Sequence, residues 1–151
     1  MATTLILVRH AHALPCYKAG VNSDALRPLS DAGREKAAQT AQALARRQEK
    51  VKLILTSPLL RAVQTAQILS GALKVPVREH PYLDGMHPDN LVRDFLVQQA
   101  QDCGGLLAVG HNPAVTYISA LLCGQVNPFS AGAFAVFDLA QERPQLICFG
   151  E

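Results

Sequence analysis

Neither sign of charge dominates this sequence: 14 Lys and Arg stand against 12 Asp and Glu in 151 residues, a formal net charge of +2. A broad basic field for a nucleic-acid backbone or an anionic membrane is thereby excluded, and positive charge can matter only locally. Long hydrophobic runs are missing as well. The run Leu5 to Val8 leads straight into Arg9 and His10; it is too short for a signal-peptide core, and nothing approaches the ~18 apolar residues of a membrane span. Cysteine is sparse, with Cys16, Cys103, Cys123 and Cys148 far apart and no C-x-x-C pair. Neither a disulfide framework nor a zinc motif follows from that spacing, and reduced thiols in a cytoplasmic protein are the expectation. No repeat or low-complexity tract is visible.

What is there is apolar: 49% of residues against 17% charged, which excludes a disordered chain. The length suits one domain over residues 1–151, and an eight-stranded α/β barrel of roughly 200 residues or more is excluded. Thr4–Val8, Leu53–Thr56 and Leu106–Val109 read as short buried strands, with Val75–Val77 as a weaker one. Between them, Ser30 caps a helix to about Gln48 whose inner face is Ala37, Ala41 and Leu44. Ser57-Pro58 and Asn112-Pro113 each read as N-cap and first helical residue, opening helices to about Leu73 and Leu122. A further helix from about Pro88 to Gln101 presents Leu91, Val92, Phe95 and Leu96 inward. Ala133–Asp138 and Leu146–Phe149 form a final antiparallel pair, and Phe129, Phe134 and Phe137 are assigned to the core. Strands alternating with helices predict a three-layer α/β/α sandwich with a mostly parallel mixed sheet. One connection is long: Ala13 to Pro28 shows no periodic element, and it begins directly after Arg9-His10-Ala11-His12. Loops of that length are usually functional or disordered.

Open α/β sheets bind ligands beyond the carboxyl ends of their strands. The first strand here releases Arg9 and His10, the second Ser57-Pro58 with Arg61 in the following turn, and the third Gly110-His111-Asn112-Pro113. No Asp or Glu occurs from Leu53 to Arg78 or from Leu106 to Val126. Two arginines, two histidines and two helix N-termini at one rim suit a small dianion such as a phosphoryl group. Taken singly, each has an ordinary explanation: a solvated turn for Arg9-His10, helix caps for the Ser-Pro and Asn-Pro pairs, a surface arginine for Arg61, a backbone-satisfied histidine for His111. Their coincidence at three strand ends carries the weight. A metal reading takes His10, His12 and His111 as ligands with Asp84, Asp89 or Asp24 as the carboxylate. The adjacent arginines, which repel a dication, oppose it. His12 is otherwise a pocket-edge or exposed residue, and His80 and His87, each next to proline, are expected to be exposed.

The blocks Leu7-Val8-Arg9-His10-Ala11, Arg27-Pro28-Leu29-Ser30-x-x-Gly33, Thr56-Ser57-Pro58-x-x-Arg61-Ala62-x-Gln64-Thr65 and Val109-Gly110-His111-Asn112 resemble, in order, those of the histidine phosphatase superfamily, also called phosphoglycerate-mutase-like. They span most of the chain. The short length and the small segment from Val75 to Asn90 resemble the compact SixA-type phosphohistidine phosphatases, with a minimal lid. The resemblance implies that His10 is the nucleophile, that Arg9, Arg61 and His111 bind the phosphoryl oxygens, and that Arg27 assists from the long loop. It implies no metal and no cofactor. The chemistry agrees: adjacent arginines keep an attacking imidazole uncharged, and phosphoryl transfer needs mainly positioning and stabilisation of oxygen charge.

Two departures accompany the resemblance. Ala11 stands where the superfamily signature has glycine, which matters if positive φ is required. Superfamily members acting on alkyl phosphates use an acidic residue after the third short strand, and the candidate general acid here is Asp84, which before Gly85 could equally be a turn residue. A missing acid matters little for an imidazole leaving group and greatly for an alkoxide. The expectation is therefore a metal-independent phosphatase acting on phosphohistidine of a protein. A phosphomonoesterase for small phosphate esters with Asp84 as acid is the alternative, and a non-catalytic phosphate-binding module the alternative of another class. A mutase lacks the room it needs.

Overall fold

Successive residues along a strand point to opposite faces of its sheet, and that alternation sorts the core of this protein. The computed structural model describes residues 3–140 and 142–151. In chain order it comprises β1 (Thr4–Arg9), α1 (Cys16–Ala19), α2 (Asp31–Arg47), β2 (Leu53–Thr56), α3 (Leu60–Leu73), β3 (Val77–Glu79), α4 (Asp89–Cys103), β4 (Leu106–Gly110), α5 (Ala114–Cys123), β5 (Phe134–Asp138) and β6 (Gln145–Gly150). Short 3₁₀ turns cover Asp24–Leu26 and Pro81–Leu83. The sheet order is β3-β2-β4-β1-β5-β6. Strands β3, β2, β4 and β1 run parallel, while β5 is antiparallel to both β1 and β6. This is the mixed α/β/α sandwich the strand and helix alternation predicts.

Leu5, Leu7, Leu55, Leu106, Ala108 and Phe137 point to the face covered by α4 and α5, joined by Phe129. Ile6, Val8, Ile54, Leu107, Val109, Phe134 and Val136 point to the other, under α2 and α3. Being covered on both sides is why the strands read as unbroken apolar runs. On α2, Ala37, Ala41 and Leu44 are buried as their spacing predicts.

Four local expectations are corrected. Strand β3 begins at Val77 and not Val75: Lys74 ends α3 in the left-handed conformation, and Pro76 has no N–H to enter a ladder. Helix α3 begins at Leu60 with no side-chain cap, because Ser57 is buried and its hydroxyl is engaged elsewhere. Helix α5 likewise begins at Ala114, since Asn112 bonds the Phe129 carbonyl and the Thr116 hydroxyl. On α4 the inward stripe is Val92, Leu96 and Ala100, which turns the neighbouring Leu91 out to 44% exposure. The long connection is ordered by elements too short for periodicity to reveal. A bridge between Ala13 and Leu29 and a bond from Leu14 N–H to the Pro28 carbonyl close its base.

Parallel register levels the carboxyl ends of three strands. Arg9 of β1 lies beside Gly110 of β4, and Thr56 of β2 beside Val109. The next residues of each strand, His10, Ser57 and His111, therefore emerge together.

Candidate active site

Backbone bonds fix that convergence: His10 N–H donates to the Gly110 carbonyl and Ser57 N–H to the Val109 carbonyl, each at 3.0 Å. The rings of His10 and His111 lie beside each other, tilted by 59° with centroids 4.9 Å apart. Around them a cleft of about 640 Å³ is lined by Arg9, Arg27, Arg61, Asp84 and also Asp24, with Leu59, Gly85, Met86, Asn112 and Pro113 completing it. All six residues singled out in the sequence thus meet in one cavity.

Each ring has a defined partner. His10 Nδ1 lies 2.7 Å from the Ala11 carbonyl oxygen; a carbonyl only accepts, so Nδ1 carries the proton and Nε2 keeps its lone pair. Burial pushes the His10 imidazole down to about 4. The Ala11 carbonyl pulls the other way, and the charges of Arg61, Arg9 and Arg27 reinforce the fall. His111 is also pushed down to about 4, by burial and then by His10 and Arg61. Its Nε2 pairs with the Ser57 hydroxyl at 2.8 Å. That hydroxyl also accepts the Leu59 N–H at 3.2 Å, so the serine read as a helix cap instead orients a histidine.

The guanidiniums are tied from behind. Arg9 NH1 donates to the Phe129 carbonyl at 2.9 Å. Arg61 is buried, Arg27 half-buried, and both bond Asp24. The Nε–H groups of Arg9 and Arg61 are buried with no partner among the described residues, donors that an oxyanion could satisfy.

Ala11 does not have positive φ and is fully buried against Leu29 and Ala37, so a methyl group fits where the superfamily signature has glycine. Its N–H donates to Thr65 Oγ1, which itself bonds the Arg61 carbonyl. Gly33 is required by close approach: a Cβ there would run into the His12 carbonyl oxygen. His12 is exposed, bonds Ser30 Oγ through Nδ1 and stays outside the cleft. Among the described residues no group of three or more His, Cys, Asp or Glu side chains could hold a metal ion.

Asp84 makes the turn its type favours, Oδ1 accepting the Met86 N–H at 2.8 Å, and it also pairs with His87 Nδ1 at 3.0 Å. His80 and His87 are half-buried, correcting the expectation of exposure: both pack against Tyr82, His80 edge-on, and His80 also packs against Phe95. Sequence reasoning missed Asp24 as a partner of the arginines, although its place three residues before Arg27 was a signal. It missed Ser57 as the partner of His111, for which the serine of its block was the only hint.

The profile of the histidine phosphatase superfamily (branch 1) matches residues 5–94. This chain belongs to that superfamily. It is 30% identical to the phosphohistidine phosphatase SixA of Escherichia coli K12 over 118 residues, 75% of this chain and 73% of that protein. An uncharacterized protein of Picosynechococcus is 34% identical over 122 residues, 77% of this chain and 72% of that one. The structure of the protein histidine phosphatase SixA complexed with tungstate superposes with a TM-score of 0.87 at 25% identity, over 98% of this chain and 96% of that one. The chain is a SixA-type histidine phosphatase, with the phosphoglycerate-mutase-like sandwich expected from its blocks. Among the described residues no helix is long and apolar enough to cross a membrane.

Proposed function

We propose that this phosphatase removes phosphoryl groups from phosphohistidine on a protein, without a metal, through a covalent phospho-His10 intermediate. One observation carries the reading: the Ala11 carbonyl holds the His10 proton on Nδ1, leaving Nε2 as a neutral nucleophile among three guanidiniums and His111. In the first step Nε2 attacks phosphorus, a new N–P bond forms, and the N–P bond of the substrate breaks. The substrate imidazole departs neutral once its other ring nitrogen carries a proton. The Ala11 carbonyl stabilises the positive charge gained by His10, and Arg9, Arg27, Arg61 and His111 take the phosphoryl oxygens. Water then forms an O–P bond as the His10 N–P bond breaks, which releases inorganic phosphate and restores Nε2.

Two features support a protein substrate. Met86 is 84% exposed on the rim of the cleft, an apolar contact of the kind a macromolecule can cover. The similar Escherichia coli protein is named a phosphohistidine phosphatase. A second reading keeps the same cleft for small phosphate esters with Asp84 as general acid, because Asp84 lines the cleft and is only 23% exposed. Single-turnover dephosphorylation of a phosphohistidine protein, with acid-quenched samples assayed for acid-labile protein phosphate, tests the proposal. It predicts a labile phosphoenzyme in the wild type and none in His10→Ala. Binding of phosphate with no phosphoenzyme and no turnover would demote the chain to a binding module.

A further inference from the structure

Asp24 has no part in the steps above, yet it touches more of the phosphate-binding apparatus than any other acidic residue of the cleft. Its Oδ1 accepts from Arg27 NH1 and its Oδ2 from Arg61 NH2, both at 3.0 Å. Its backbone carbonyl accepts from Arg61 NH1 at 2.9 Å. One residue therefore holds both terminal nitrogens of Arg61. The Asp24 side chain is 62% exposed while that of Arg61 is 10% exposed, which puts the carboxylate toward solvent and the guanidinium toward the cleft floor.

The frame continues into the loop. Arg27 Nε donates to the Leu14 carbonyl at 2.9 Å, and Ser23 Oγ accepts the Ala25 N–H at the start of the turn that carries Asp24. A guanidinium presents five N–H donors in one plane. Asp24 engages two of those of Arg61, which fixes that plane, and three remain, the buried Nε–H among them. An ion pair with so exposed a carboxylate adds little to folding stability. Its contribution here is orientation.

We propose that Asp24 is the positioning residue of the site, setting the planes of Arg61 and Arg27 so that their remaining N–H groups meet the oxygens of the transferring phosphoryl group. This rests on the reading of the cleft as a phosphoryl-transfer site. The Asp24 charge opposes a dianion in the ground state, so its benefit lies in kcat and not in KM.

The test compares wild type, Asp24→Ala, Asp24→Asn, Arg61→Ala and the Asp24→Ala/Arg61→Ala double variant as full chains. One arm follows the ¹⁵N relaxation of the Arg61 Nε–H; the other measures kcat and KM with phosphoramidate as phosphoryl donor. In Asp24→Ala the Arg61 Nε–H order parameter should fall below about 0.6, the flexible range. Its kcat should drop about 10- to 100-fold, the scale of a misplaced group, with KM unchanged or lower. Asp24→Asn, which keeps an acceptor, should fall between. In the Arg61→Ala background the same substitution should remove less than about threefold more, because coupled residues do not add. An Arg61 as ordered as in the wild type, an unchanged kcat, or an equal loss with and without Arg61 would overturn the proposal. If the wild type turns over no phosphoryl donor, the phosphoryl-transfer reading fails instead, and the relaxation arm alone still decides whether Asp24 orders Arg61.

Discussion

Lowering the pH is the perturbation that most directly probes this cleft. Burial, with help from Arg61, Arg9 and Arg27, pushes His10 from the ordinary 6.5 to about 4, against the Ala11 carbonyl. At pH 5.5 an ordinary imidazole is roughly 9% neutral, whereas one titrating at about 4 is roughly 97% neutral. The acid limb of the first chemical step should therefore lie near 4 and not near 6.5. Stability carries the opposite signature. Between these two values the unfolded chain binds more protons than the folded one, so unfolding free energy falls as pH falls through the window. At 1.36 kcal/mol per unit, a shift from 6.5 to about 4 amounts to about 3 kcal/mol for one such histidine. His111 shares the site and the direction of the shift, through burial first and then through His10 and Arg61. Carbon-detected titration of the imidazole Cε1–H signals, with His10→Gln for assignment, reads the first effect, and urea midpoints at pH 7 and pH 5 read the second. Two rings titrating near 6.5, or a midpoint indifferent to pH, would refute the reasoning that burial keeps the proposed nucleophile, His10, neutral.

Other perturbations separate the parts of the site. Arg61→Ala should lower kcat by about 10²- to 10³-fold, the usual effect of losing one transition-state donor; a loss under about tenfold would place Arg61 outside the transition state. Asp84→Asn should leave phosphohistidine turnover nearly unchanged while impairing any alkyl phosphate hydrolysis, and equal, negligible effects on both would remove the acid role. Gly33→Ala drives a methyl group into the His12 carbonyl and should destabilise by about 1–3 kcal/mol in urea unfolding, the range for overpacking. An unchanged midpoint would show that α2 can shift away freely.

The elements of this fold with strong periodicity were legible from the chain itself. Ala37, Ala41 and Leu44 on α2, and the unbroken apolar runs of β1, β2 and β4, face the same way in isolation as in the structure, because burial on one helix face or both strand faces is a local pattern. Weak or one-turn elements were not: β3 depended on what Pro76 could donate, and α1, at four residues, is too short for a period to repeat. Phe129, Phe134 and Phe137 are buried as expected; Leu91 is not, since one residue of rotation on α4 decides which neighbour meets the sheet.

The candidate site divides in the same way. Residue types and their order after three strands were enough to expect Arg9, His10, Arg61 and His111 at one rim, and all four line the cleft, because the parallel strands of a covered sheet end at one edge. Which partner each of them takes was decided by tertiary structure alone. Ser57 has the sequence of a helix cap and serves His111; Asp24 lies in a loop of no periodicity and reaches Arg61 across 37 positions. A hydroxyl or carboxylate bonds whatever donor the fold brings within about 3 Å, and nothing in its own sequence neighbourhood records which donor that is.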